Sequence, residues 1–212
     1  MRRTLVIQAG GKSSRMGKDK AFLSWQGTTF LQHLIRKAKP YFSRICISCG
    51  TEEHTEEIRH LLGEDAGVLF ITDVYEQIGP MGGILSIFET IRPELFVLLA
   101  VDMPHADMDV LARLYDLAET GGEAAVMLKL PDAGTAESCA AAYTREAYQL
   151  FKSAYEKGEF GLFQALQSGK VRFVEAADLQ PYLPGASGDY LKTSFCNVNT
   201  PDDYLSVTDI RP

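Results

Sequence analysis

Cysteine, positive charge and long apolar runs are all scarce in this sequence, and each scarcity closes off a class of protein. The four cysteines among 212 residues are too few for the disulfide framework of a small secreted domain. Cys46 and Cys49 have the spacing of half a metal site. In a strand, however, they point to opposite faces, and neither a second pair nor a nearby histidine completes a ligand set. They read as buried free thiols. The apolar stretches Leu5-Val6-Ile7 and Leu95 to Val101 are far too short for a signal peptide or a membrane span, despite Arg2 and Arg3 ahead of the first. A cytoplasmic address is the default expectation, with no membrane partner. Lys and Arg number 21 against 28 Asp and Glu, a net charge of −7, so the broad basic footprint of a nucleic-acid binder is missing. No repeat or low-complexity tract occurs, and the remaining composition, 46% hydrophobic and 23% charged, is that of a globular chain.

Several catalytic signatures are missing as well. Gly-x4-Gly-Lys-Ser/Thr does not occur, and Gly10 and Gly17 do not give Gly-x-Gly-x-x-Gly, which argues against a Walker loop and against hydride transfer on a dinucleotide fold. No Ser-His-Asp or Cys-His arrangement presents itself. Of the four histidines, His33, His54 and His60 fall on predicted helices, where a surface or packing role is expected, and His105 lies near Asp102.

What is present is a dense loop, Gln8-Ala9-Gly10-Gly11-Lys12-Ser13-Ser14-Arg15-Met16-Gly17-Lys18-Asp19-Lys20, directly after the apolar run at Leu5. Its glycines allow close backbone approach, and Lys12, Arg15, Lys18 and Lys20 gather positive charge on an acidic protein. Two readings stand on these residues alone: a phosphate cradle, or a Gly-rich turn with solvated basic groups.

Along the chain, Phe22 to Gly27 reads as a short extended piece closed by a turn, and Thr29 to Ala38 as an amphipathic helix limited by Pro40. A strand over Ile45 to Ser48, a helix over Glu53 to Leu62 and a strand over Val68 to Ile71 follow. The Gly-rich turn Gly79-Pro80-Met81-Gly82-Gly83 then enters a helix over Ile84 to Ile91. The most continuously apolar strand, Phe96 to Val101, reads as central, followed by a helix over Met108 to Glu119 and a strand over Ala124 to Leu130. In the less regular second half, Cys139 to Tyr143 and Val171 to Glu175 read as strands, and Arg145 to Lys157 and Leu162 to Ser168 as helices. Pro181 to Thr193 reads as a loop, and Thr200-Pro201 as a helix start. Strand–helix alternation predicts a doubly wound α/β sheet in one domain.

Ligands of such sheets sit beyond the carboxyl ends of the strands. The opening loop, Ser48-Cys49-Gly50, Asp73 and Asp102 all end there on this reading. Asp102, after the most buried strand, is suited to Mg²⁺ shared with phosphate oxygens. Asp73 is either a ligand contact or a structural turn residue.

The stretch from Gln8 to Ala21 closely resembles the signature of the nucleotidyltransferase superfamily, and within it the molybdenum cofactor guanylyltransferases. Thr72-Asp73, Gly79 to Ile84, Val101-Asp102-Met103-Pro104 and Asn197-Val198-Asn199-Thr200-Pro201-Asp202-Asp203 agree in order and spacing. Three departures stand out. Gln8 replaces a usual Leu, at a position expected to contribute mainly backbone. Ser48 and Gly50 stand where Asn is frequent. Ala133 to Cys139 lacks a His-Pro pair.

The resemblance implies an α/β, three-layer Rossmann-like nucleotidyltransferase fold with a mostly parallel central sheet. A single domain over 1–212 would have a nucleotide-binding half of about 1–105 and an acceptor half of about 106–212. The implied reaction moves GMP from GTP to the terminal phosphate of molybdopterin, yielding the guanine dinucleotide cofactor and pyrophosphate with Mg. No general base is needed, because the attacking phosphate is already ionised. By the same resemblance, Gln8, Ala9, Gly10 and Gly11 hold the nucleotide through their backbone, and Arg15 and Lys20 meet the phosphates. Asp102 holds Mg, while Asp73, Gly82 and Gly83 approach ribose and guanine. Asn197 and Asn199 are candidates for the pterin side, or capping and turn residues. Implied partners are GTP, molybdopterin, other cofactor-synthesis proteins and acceptor molybdoenzymes, with a monomer expected. The alternatives are a cytidylyltransferase acting on the same cofactor, a sugar-nucleotide pyrophosphorylase, and a non-catalytic nucleotide or cofactor carrier. Gly10-Gly11 and Gly82-Gly83 favour guanine by resemblance.

Overall fold

The computed structural model describes residues 3–10, 19–63, 66–75, 78–131, 134 and 136–208. The middle of the opening loop, with Gly11 and Arg15, lies outside the described residues.

The first half carries strands β1 (Thr4–Gln8), β2 (Ser24–Trp25), β3 (Thr28–Thr29), β4 (Arg44–Gly50), β5 (Leu69–Thr72) and β6 (Leu95–Ala100). It also carries helices α1 (Phe30–Ala38), α2 (Glu52–Leu62) and α3 (Pro80–Ile91). The second half adds α4 (Met108–Gly121), β7 (Ala125–Leu128), β8 (Glu137–Thr144), α5 (Arg145–Glu156), α6 (Leu162–Ala165), β9 (Val171–Val174), α7 (Ala176–Leu179), α8 (Gly188–Ser194) and α9 (Pro201–Thr208). The main sheet has seven strands in the order β5-β4-β1-β6-β8-β7-β9. β5, β4, β1 and β6 run parallel; β8 is antiparallel to both of its neighbours, and β9 is parallel to β7. The predicted mostly parallel α/β sheet is therefore present, with β8 the one reversed strand of the main sheet among the described residues.

Alternation along the strands makes the three layers. Leu5 and Ile7 share a buried cluster with Phe30 and Leu34 of α1, Ile58 of α2 and Leu111 and Leu114 of α4. Val6, between them, packs with Ile84 and Phe88 of α3 and with Phe151 of α5 on the other face. Each fully buried Leu, Ile or Phe contributes roughly 1.5–3 kcal/mol. Cys46 and Cys49 fall in opposite clusters, and burial pushes their thiols up to about 12 and about 11. They are the inert free thiols expected.

Local chemistry explains the element ends. Thr29 and Gln32 form a capping box at α1, Thr51 caps α2, and Asp107 caps α4 by accepting from Val110 N. Phe22 to Gly27 becomes the β2–β3 hairpin, turning through Gln26 and Gly27, both at positive φ. Two expectations need correction. α3 begins at Pro80 rather than Ile84, because Gly79 at positive φ serves as N-cap and Pro80 suits the first helical position. Gly82 and Gly83 are therefore helical, and a Cβ on Gly82 would lie 2.4 Å from the Tyr75 carbonyl oxygen. The stretch 181–193 is not loop throughout. Pro181, Pro184 and Gly185 precede a Ser187 cap, and α8 follows from Gly188 with Leu191 and Ser194 buried. Among the described residues, no helix is long and apolar enough to cross a membrane.

Candidate active site

Parallel strands deliver their carboxyl ends to one edge of the sheet, and the candidate residues gather there. Val101 N donates to the Gln8 carbonyl at 3.0 Å, joining the exits of β1 and β6. Ala9 N and Gly10 N both donate to Ser48 O, at 2.8 and 2.9 Å, joining β1 to β4. Gly10 is required at this crossing, since a Cβ would lie 2.6 Å from Gly50 N. Beside this seam lies a pocket of ≈ 270 Å³ lined by Gln8, Ala9, Gly10, Lys20, Ala100, Val101, Asp102, Glu137, Cys139 and Asn197.

Lys20 and Asp102 meet across the pocket. Lys20 Nζ donates to Asp102 Oδ2 at 2.6 Å and to Asn199 Oδ1 at 2.7 Å. The turn bearing Lys20 is capped by Asp19, whose Oδ1 accepts from Ala21 N. The C-terminal segment is laid over Asp102 by the bond from Val198 N to the Asp102 carbonyl at 2.9 Å. Asp203 then accepts from the backbone of Asn199 and Thr200, starting α9. Asn199 is thus both a partner of the α9 cap, through its backbone, and a partner of Lys20, through its side chain. Asn197 lines the pocket itself.

Asp73 stands on the other side of the β1 exit. Its Oδ1 accepts from Ser48 Oγ at 3.2 Å, and its backbone N donates to the Gly50 carbonyl at 2.7 Å. Burial raises its carboxyl from 3.8 to about 6, opposed by the Ser48 hydrogen bond. A Cβ on Gly83 would be 3.1 Å from Gln8 Nε2 and 3.7 Å from Asp73 Oδ2. Gly83, in the first turn of α3, therefore faces Gln8 and Asp73, while Gly82 packs on the Tyr75 carbonyl and Ile78 instead. Of the expected site residues, Gln8, Ala9, Gly10, Lys20, Asp102 and Asn197 share the pocket, Asn199 reaches it through Lys20, and Asp73 and Gly82 do not line it. Gly11 and Arg15 lie outside the described residues.

Three outcomes differ from the reading of the sequence. Gln8 contributes more than backbone: its Oε1 accepts from Cys139 Sγ at 3.3 Å and its amide faces Gly83. His105 packs edge-on against Trp25, with ring centroids 4.9 Å apart, rather than lining the pocket beside Asp102. Glu137 and Cys139 line the pocket unforeseen. β8 runs against β6 with Leu99 opposite Ala140, so three residues further along, Glu137 comes level with Asp102. Burial raises the Glu137 carboxyl, and the Asp102 charge adds to it, while a hydrogen bond from Asn197 opposes both. Cys139 is pushed up to about 11 by burial and is a neutral wall at ordinary pH. An acidic residue at the start of a reversed strand was the only available signal, and direction is not written in local sequence.

A cation would find suitable donors here. Asp102 Oδ1 is buried and has no hydrogen-bond partner among the described residues. Glu137 and Asn197 add further hard oxygen atoms to the same pocket, the donor type that Mg²⁺ prefers. Among the described residues there is no group of three or more His, Cys, Asp or Glu side chains arranged to hold a metal, so a bound ion would take its remaining ligands from substrate and water.

The fold has close likenesses. A solved structure of molybdopterin-guanine dinucleotide biosynthesis protein A from Archaeoglobus fulgidus superposes with a TM-score of 0.81 at 24% identity, covering 98% of this chain and 97% of that one. A 2-C-methyl-D-erythritol 4-phosphate cytidylyltransferase from Thermus thermophilus superposes at 0.66 and 18% identity, covering 98% of each. A probable molybdenum cofactor guanylyltransferase of Bacillus cereus is 26% identical over 94% of this chain and 92% of its own length. Residues 5–171 match the MobA-like NTP transferase domain. That match takes in the opening loop, Asp73, Asp102 and the reversed strand bearing Glu137, and the chain belongs to the MobA-like NTP transferase family as an enzyme of the nucleotidyltransferase class.

Proposed function

We propose that this enzyme transfers GMP from GTP to the terminal phosphate of molybdopterin with Mg²⁺, releasing pyrophosphate. The observation that carries the reading is one pocket built from both halves of the chain: Lys20 and Asp102 from the first, Glu137, Asn197 and Asn199 from the second. The names of the relatives, a guanylyltransferase and a guanine dinucleotide synthesis protein, support guanine and the pterin acceptor.

In this reading the chain mainly positions groups and balances charge for in-line attack at the α-phosphorus. Ala9 and Gly10 have their N–H groups engaged by Ser48, so the nucleotide meets them through their carbonyl and Cα faces. Lys20 leaves Asp102 for the incoming phosphate oxygens, which offer more negative charge than one carboxylate. Arg15 adds a second cation to those phosphates. Asp102, with its unpartnered Oδ1, would hold Mg²⁺, which when bound neutralises phosphate oxygens. Asp73 and Gly83 face ribose and base, and Asn197 orients the acceptor. The acceptor phosphate is already ionised at neutral pH, so no residue has to remove a proton.

The test is incubation of the protein with molybdopterin and GTP, CTP or ATP in turn, reading dinucleotide product and pyrophosphate. Product with GTP, in large excess over CTP, is the expected result. Preferential use of CTP would overturn the guanine assignment, and nucleotide binding without pyrophosphate release would make the protein a carrier.

A further inference from the structure

Both ends of the opening loop rest on one short piece of β4. At the entrance, Ala9 and Gly10 donate to Ser48 O. At the exit the connection runs through His54, in the first turn of α2. Its Nδ1 lies 2.6 Å from the Cys49 carbonyl oxygen, and its Nε2 lies 2.7 Å from Asp19 Oδ2, an ion-pair contact whose angle is not that of a hydrogen bond. The other Asp19 oxygen caps the turn that carries Lys20. A carbonyl oxygen can only accept, so Nδ1 carries hydrogen, and the carboxylate oxygen 2.7 Å from Nε2 favours a second proton there by charge. The arrangement therefore favours the imidazolium form. Only 13% of the His54 side chain is exposed, and the Phe22 ring stands 6.2 Å from it, which limits competition from water.

We propose that His54, as an imidazolium, is a positioning residue that clamps the loop exit to β4 and so sets where Lys20 stands. Its consequence for catalysis rests on the reading that Lys20 meets the nucleotide phosphates; the clamp itself does not. Among the described residues, the titratable groups facing the ring are Asp19 from the Lys20 turn, Cys49 from β4 and Glu57 from its own helix. The Cys49 thiol, pushed up to about 11 by burial, stays neutral, so the charge facing the ring comes from the two carboxylates. The Asp19 contact holds His54 above its ordinary 6.5, against the opposing effect of burial, with the Cys49 carbonyl and Glu57 adding to it. A histidine raised in the folded state is clamped fully at and below its ordinary value. It releases as pH climbs through the raised value, because a bare Nε2 then faces a carboxylate lone pair to lone pair.

The experiment follows two readouts from about pH 6 to about pH 9: the hydrogen-exchange protection factor of the Ala21 amide in nucleotide-free protein, and the affinity for Mg-GTP. Wild-type protein should lose Ala21 protection and about fivefold in affinity with one shared midpoint above pH 6.5. His54→Ala should show the loosened values at every pH. His54→Lys, whose cation does not titrate in this range, should keep the tight values throughout. Asp19→Asn leaves the ring in place, removes its charged partner, and should flatten the profile. A wild-type protection profile without a midpoint, or a His54→Ala profile that superimposes on wild type, overturns the clamp. Failure of the guanylyl-transfer reading shows separately, as missing pyrophosphate release or GTP binding, and leaves the Ala21 protection to decide the clamp alone.

Discussion

The two sides of the active-site pocket are built by different means. On one side β5, β4, β1 and β6 lie parallel and adjacent, so every strand brings its following loop to the same edge. Position there is a property of chain direction, and a short motif after each strand is enough to mark it. On the other side β8 runs in reverse, and it is the beginning of that strand that enters the pocket. Glu137 and Cys139 therefore stand beside Asp102 although nothing after a strand announces them. The lesson is that a reversed strand in a parallel sheet supplies site residues from its amino end, opposite to the rule that locates the others.

The contrast can be broken or sharpened by substitution. Asp102→Ala should have the largest effect, lowering nucleotidyl transfer by about a thousandfold with little change in the thermal midpoint, as a pyrophosphate-release assay and calorimetry would show. Near-normal turnover with Mg²⁺ would remove the metal from the parallel side. Glu137→Gln tests the reversed side: Asn197 loses its charged partner, and kcat/KM for the acceptor should fall about tenfold while the KM for GTP holds. An equal rise in both KM values would mean that the two sides do not divide the substrates.

The smallest effect concerns stability. Asp73 is raised to about 6 by burial, so its ionisation in the folded protein opposes folding as pH rises from its ordinary value of 3.8 through about 6. Asp73→Asn should therefore add about 1 kcal/mol in urea unfolding near pH 8, an advantage that fades below about pH 4. A constant difference across that range would show that burial is not what holds the carboxyl up.

Much of the parallel side was legible because its signals are local. The apolar run Leu5-Val6-Ile7 marked a buried strand, Thr29 marked a helix start, and Asp102 closed the most apolar strand; all three stand where periodicity and capping put them. Pro181 to Thr193 misled because turn-forming residues were counted across a cap: Ser187 separates Pro181, Pro184 and Gly185 from a helix that begins at Gly188 and is anchored by Leu191. On the sequence, His54 has a surface or packing role on a helix. Its partners, Cys49 O and Asp19, lie in other elements, and no spacing rule links them.

By itself, then, the sequence determined the alternation of strands and helices through the first half, which faces are buried there, and the loop with its Gly10 and Lys20. These follow from side-chain periodicity, capping and backbone freedom, which act over a few residues. Only the tertiary structure decided that Lys20 pairs with Asp102 and Asn199, that Gly10 must pass Gly50 without a side chain, that Glu137 lines the pocket, and that His54 stands between Cys49 and Asp19. Those facts depend on sheet order, strand direction and register, which arise from contacts between residues tens of positions apart.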